Sequence, residues 1–75
     1  MANHKNVFTH PKAGGGWVNN VGGRERDVVH RTKEVAVEVG RSIARREESE
    51  HTITRKDGVI TEKNSYGGDP FPPKG

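Results

Sequence analysis

The 75-residue chain contains no cysteine, which excludes a disulfide-stapled scaffold and every thiolate metal site. Aromatic residues are scarce, with one Trp, one Tyr and two Phe, and hydrophobic residues make up only 28% of the chain. No apolar run approaches the roughly 20 residues that cross a bilayer as a helix. The first residues, Met1-Ala2-Asn3-His4-Lys5, lack the apolar core of a secretory signal. These absences lead to the expectation of a soluble, cytoplasmic protein. Neither charge sign dominates: 13 Lys and Arg face 10 Asp and Glu, for a formal net charge of +3. So polar a composition would permit disorder, but near-balanced charge and clustered apolar residues argue for a folded centre. A domain this short buries only about 60% of the surface of its unfolded chain, so a single thin core is expected. Self-association would help such a core, and a separate catalytic domain has no room.

The apolar residues that are present fall into patterned stretches. Lys5-Asn6-Val7-Phe8-Thr9-His10 is short and β-prone, Pro11 and Gly14-Gly15-Gly16 interrupt it, and Trp17-Val18-Asn19-Asn20-Val21 resumes extended character. That spacing predicts a hairpin. Gly22-Gly23 is a second turn signal, after which Arg26-Asp27-Val28-Val29-His30 could form a third short strand. Residues 32–47 then read as an amphipathic helix, with Val35, Ala36, Val39, Gly40, Ile43 and Ala44 on the apolar face. Thr32 suits the N-cap, and Glu34 near the start with Arg45 and Arg46 near the end suits the helix dipole. Gly40 on the buried face costs about 1 kcal/mol against Ala, and close approach of the helix to a sheet would compensate.

After the acidic run Glu47-Glu48-Ser49-Glu50, Asp57-Gly58 sits between β-branched residues and predicts a second hairpin. A two-residue turn there opposes Ile53 to Glu62 and Arg55 to Ile60, placing Ile53 and Ile60 on one face against the helix. Thr52, Thr54, Lys56, Val59, Thr61 and Lys63 would form the other face. Residues 67–75 hold three of the four prolines and read as an extended tail with polyproline-like character. The expected fold is therefore a single α+β domain, folded over about residues 5–66. Two antiparallel β-hairpins flank one α-helix (ββαββ-like), and the helix packs on one sheet face.

Three places in the chain carry a resemblance. They are the first strand leading to Gly15-Gly16-Trp17-Val18, the helix opening Thr32-Lys33-Glu34-x-Ala36, and the second hairpin followed by Ser65-Tyr66-Gly67-Gly68-Asp69-Pro70-Phe71-Pro72-Pro73-Lys74-Gly75. The proline-rich ending is the most specific of the three. Taken together, the chain resembles an uncharacterised bacterial family, the domain of unknown function 2188, and departs from it in charged residues around Gly22-Gly23. The resemblance implies kinship and brings no activity with it.

The residues offer little to catalysis. Ser42, Ser49 and Ser65 have no elbow or triad context, and Glu47, Glu48 and Glu50 read as a solvated run. His4, His10, His30 and His51 lie on separate segments without metal-ligand spacing, and are expected to be exposed or half-exposed. The glycine run at 14–16 lies between strands and lacks the Gly-Lys-Ser/Thr of a phosphate loop, so it reads as a turn. No enzyme activity, cofactor, metal or small-molecule substrate is expected.

Binding is the remaining expectation. Residues 1–46 sum to +5 and residues 47–63 to −2, so positive charge gathers around the helix and its entry. Arg24, Arg26, Lys33, Arg41, Arg45 and Arg46 are the candidate phosphate contacts of a nucleic-acid-binding surface, with Lys56 and Lys63 as additions. Trp17, Tyr66 and Phe71 could stack bases, or simply pack. The alternative is a protein-interaction module, a homodimer included. It would use the open sheet face and the tail, with Trp17, Val59, Tyr66 and Phe71 as contacts.

Overall fold

A computed structural model of the chain describes residues 5–66. Strand β1 (Val7–Pro11) turns back into β2 (Trp17–Val21), and the two pair antiparallel from Val7↔Val21 to Pro11↔Trp17. Gly22 and Gly23, both at positive φ (62° and 85°), close a two-residue turn into the two-residue strand β3 (Arg24–Glu25). Positive φ at both turn positions is what a type I′ hairpin needs. The third strand is thus Arg24–Glu25 rather than 26–30; beyond it the Arg26 N–H bonds the Asn19 carbonyl at 2.8 Å and His30 bridges Trp17.

Helix α1 (Lys33–Glu47) begins where the sequence places it. Thr32 has an extended backbone and its hydroxyl accepts the Val35 N–H at 3.3 Å, satisfying a donor that the first turn leaves free. Glu48 closes the other end at φ 53°, ψ 52°, its N–H bonded to the carbonyls of Ala44 and Arg45. This is a left-handed position normally given to Gly or Asn. Strands β4 (Glu50–Thr54) and β5 (Ile60–Ser65) complete a five-stranded sheet of order β3-β2-β1-β4-β5.

The two-hairpin layout is corrected in one respect: the strands are not all antiparallel, because β1 and β4 pair in parallel at the centre of the sheet. The reason is the number of times the chain crosses the domain. β2 runs back, the 24–30 segment returns, and the helix runs back again, so β4 starts at the same end as β1. A parallel pair needs such a crossover, and the helix supplies it.

The Asp57-Gly58 hairpin also departs from the expected register. The Gly58 N–H bonds the Arg55 carbonyl and the Arg55 N–H bonds the Val59 carbonyl, both at 2.9 Å. The loop is therefore three residues, Lys56–Gly58, with Gly58 at φ 84°. A three-residue loop of this kind brings a bulge with it. Ile53 still opposes Glu62, but Thr54 opposes Ile60, leaving Thr61 as the extra residue with its hydroxyl on the Ile53 carbonyl at 3.2 Å. One added residue reverses the face. Ile53 is 2% exposed against the helix, whereas Ile60 is 54% exposed on the other side.

The core lies between α1 and the sheet. Val7, Ile43 and Ala44 form its centre, with Val21 and Tyr66 packed against them. On the helix, Ala36, Gly40, Ile43 and Ala44 are buried, but Val35 and Val39 from the expected apolar face are exposed. Val35 and Val39 lie to one flank of this buried stripe, at 100° per residue roughly 120° and 80° from its centre, and Gly40 sets the distance between helix and sheet. A Cβ there would stand 2.5 Å from Asn19 Oδ1 and 2.7 Å from both His51 Nε2 and Thr9 Oγ1.

Beneath Gly40 lies a buried polar cluster built from three strands. Asn19 Nδ2 donates to the Ala36 carbonyl at 3.0 Å, which fixes the amide with Oδ1 toward Thr9. The Thr9 hydroxyl spends its single proton on that oxygen, so it must accept from His51 Nε2, 2.7 Å away. His51 is thus the neutral Nε2–H tautomer, and its Nδ1 is buried without a partner. Burial first, and the Arg41 charge second, hold its pKa below the ordinary 6.5, against an opposing pull from Glu62. The expectation that every histidine is at least half-exposed fails here: His51 is fully buried, because the parallel pairing sets it beside Val7 under the helix.

Candidate nucleic-acid interface

The ends of β1 and β4 lie side by side because those strands run parallel. The loop after each therefore meets the other at one end of the sheet. In the β1–β2 loop, Lys12 N–H bonds the Gly16 carbonyl and Gly15 N–H bonds the Lys12 carbonyl, both at 2.9 Å. Gly14, Gly15 and Gly16 all have positive φ (94°, 119° and 83°). Gly14 and Gly15 face open space, whereas a Cβ on Gly16 would lie 2.5 Å from Val29 Cγ1. Trp17 then exchanges two backbone bonds of 2.8 Å with His30, which pins the indole's base. Lys33, the first residue of α1, sets its ammonium 5.8 Å from the indole centroid, within cation–π range.

The β4–β5 turn faces this loop. Arg55 grips Asp57 through two bonds, Nε to Oδ1 at 3.3 Å and Nη2 to Oδ2 at 2.9 Å, while Val59 N–H donates to Oδ1 at 3.2 Å. The Arg55 bonds, and then the Val59 N–H, hold the Asp57 carboxyl below its usual pKa. Between loop and turn lies a groove of about 930 Å³, lined by Pro11, Lys12, Ala13, Gly14–Gly16, Trp17, Arg55 and Lys56. It joins three cationic side chains, an aromatic ring and open glycine backbone. Lys12 also reaches Glu25 at 2.6 Å, and this ion pair is the main reason the Glu25 carboxyl titrates low.

Of the six basic residues singled out by sequence, Lys33 stands at this groove's margin through Trp17. Arg24 and Arg26 are brought together elsewhere, around a cavity of about 680 Å³ that also holds Lys5, Glu25 and Asp27. Arg41, half-buried, lies some 12 Å along the helix from Lys33. Arg41 and Arg45 share a helical stripe with Glu34 and Glu38, and Arg46 is turned about 100° from Arg45. The helix thus carries mixed charge there.

Among the other candidates, Trp17 is half-buried in the groove, Val59 is exposed just after the hairpin loop, and Tyr66 packs on the core. Phe71 and His4 lie outside the described residues. Sequence reasoning passed over Lys12 and Arg55. Each sits just beyond a strand end beside a turn signal, and only the adjacency of β1 and β4 would have joined them.

Among the described residues, no group of three or more His, Asp and Glu side chains could hold a metal ion, and no helix is long and apolar enough to cross a membrane. The fold and groove define a small α+β domain with a cationic, tryptophan-bearing cleft at one end of a mixed sheet. The chain belongs to a family of uncharacterised proteins conserved in bacteria, DUF2188, whose model matches residues 6–66. No curated protein and no solved structure matches it.

Proposed function

We propose that this chain is a non-enzymatic, cytoplasmic protein that binds nucleic acid through phosphate contacts in the groove. The observation that carries the reading is that Lys12, Arg55 and Lys56 line one groove with Trp17, and Lys33 lies over the same ring. Cations that replace condensed counterions on a phosphate backbone give binding that weakens steeply with salt. The two exposed ion pairs, Lys12–Glu25 and Arg55–Asp57, are weakly held in solvent and can exchange their carboxylates for phosphates. Titration with mixed-sequence DNA and RNA at 50 and 200 mM salt tests the reading: binding at the lower salt, weakened severalfold at the higher, supports it. Absence of binding at 50 mM refutes it.

A protein-interaction role is the second reading, and it rests on a different surface. Phe8 on the central strand is 40% exposed on the sheet face away from the helix, where the bulge also exposes Ile60. Sedimentation at high concentration separates the two: a homodimer lost on Phe8→Ser favours this second role, and a strict monomer removes self-association.

A further inference from the structure

Resting on the nucleic-acid reading, we infer that the occupant of the groove is single-stranded, with a base stacked on Trp17. Two observations carry this. The first is the groove's low free charge. Of its three cations, Lys12 and Arg55 already hold carboxylates at 2.6 and 2.9 Å, so among the described residues only Lys56 is uncommitted within it. A duplex binder draws its affinity from rows of phosphate contacts, and two exchanged pairs plus one lysine supply few. The second is the placement of the indole. Trp17 is held by backbone bonds to His30 and, half-buried, lines the cleft beside Gly14 and Gly15 of its own loop, which bring no side chains to it. In a duplex the base faces are hidden in the stack, so a ring recessed in a cleft has nothing to stack against. An unpaired base can enter. Lys33 lies over the ring, 5.8 Å from its centroid, and Trp17 also lines the groove.

Trp17 is the chain's sole tryptophan, so its fluorescence reports this site alone. The test uses the whole protein with a 12-nucleotide oligothymidylate and a duplex of the same length, each followed by anisotropy and by tryptophan emission. The inference expects quenching by the single strand and at least tenfold weaker binding of the duplex. A log K against log salt slope between about −1.4 and −2.8 is expected, for two to four phosphates on a single strand. Trp17→Ala should lose roughly 5- to 150-fold in single-strand affinity, and Trp17→Phe, which keeps a stacking face and guards against a folding artefact, should lose much less. Equal binding of both oligonucleotides without quenching overturns the single-strand inference while leaving the nucleic-acid reading in place. Binding of neither overturns both.

Discussion

Gly40→Ala is the sharpest test of how the helix is seated. On an exposed helix position this change would stabilise the protein by about 1 kcal/mol, because Ala is the better helix former. Here the new methyl would lie 2.5 Å from Asn19 Oδ1 and 2.7 Å from His51 Nε2 and Thr9 Oγ1, well inside ordinary contact. None of the three can swing away, since each is buried and hydrogen-bonded to another or to the Ala36 carbonyl. Overpacking costs about 1–3 kcal/mol, and a buried polar group left without its partner adds about 1–3 more. Set against the propensity gain of about 1 kcal/mol, the net loss is about 1–5 kcal/mol. A 75-residue domain has only about 4–11 kcal/mol to lose. Urea and thermal melts followed by circular dichroism should show a Tm lowered by about 4–40 °C. The exposed Ser42→Ala on the same helix serves as the control. A Gly40→Ala protein as stable as the parent, or more so, refutes the close-approach account.

Three further outcomes follow from the same geometry. His51 is neutral and buried with its pKa lowered, so the unfolded chain takes up its proton first as pH falls. Stability should be full above about pH 6.5 and decline as pH drops through the lowered native value. Urea midpoints at pH 7.5, 6.0 and 5.0 test this, and a flat profile that His51→Gln leaves unchanged contradicts it. Ile53→Ala should cost about 2–5 kcal/mol, whereas Ile60→Ala should stay within about 0.5 kcal/mol, and equal losses in denaturant melts would restore the bulge-free register. Glu48→Gly should stabilise by about 1 kcal/mol, because Gly adopts the left-handed C-cap without strain, and a lower urea midpoint would count against that cap.

What could be read from the sequence, and what could not, follows the range of the interactions involved. The helix, its Thr32 cap and the demand that Gly40 come close to a sheet were legible because capping and periodicity act within a few residues. The Asp57-Gly58 turn was legible too, but not its three-residue form, since the choice depends on whether Asp57 joins Gly58 in the left-handed region, and only Gly58 is there. That local choice moved Ile60 to the other face. The parallel pairing of β1 with β4 was hidden for a different reason. It depends on the 24–30 segment crossing the domain, and only two of its residues carry strand structure.

The site suffered most from that gap. Net charge pointed to the helix arginines, yet Glu34 and Glu38 share the stripe of Arg41 and Arg45. The hairpin sets Lys12 beside Trp17, but only the parallel pair brings Arg55 to them, across 43 and 38 residues of chain. Likewise, nothing local to His51 marks it for burial; its environment comes from Thr9, Asn19 and Gly40.

The groove is the centre of the functional account, and amide chemical-shift mapping addresses it most directly. Titrating the 15N-labelled protein with the oligothymidylate should shift the amides of residues 12–17, Lys33 and residues 55–58, together with the Trp17 indole N–H. Shifts confined to Arg24 and Arg26, to the helix arginines, or to the face around Phe8 and Ile60 would contradict it.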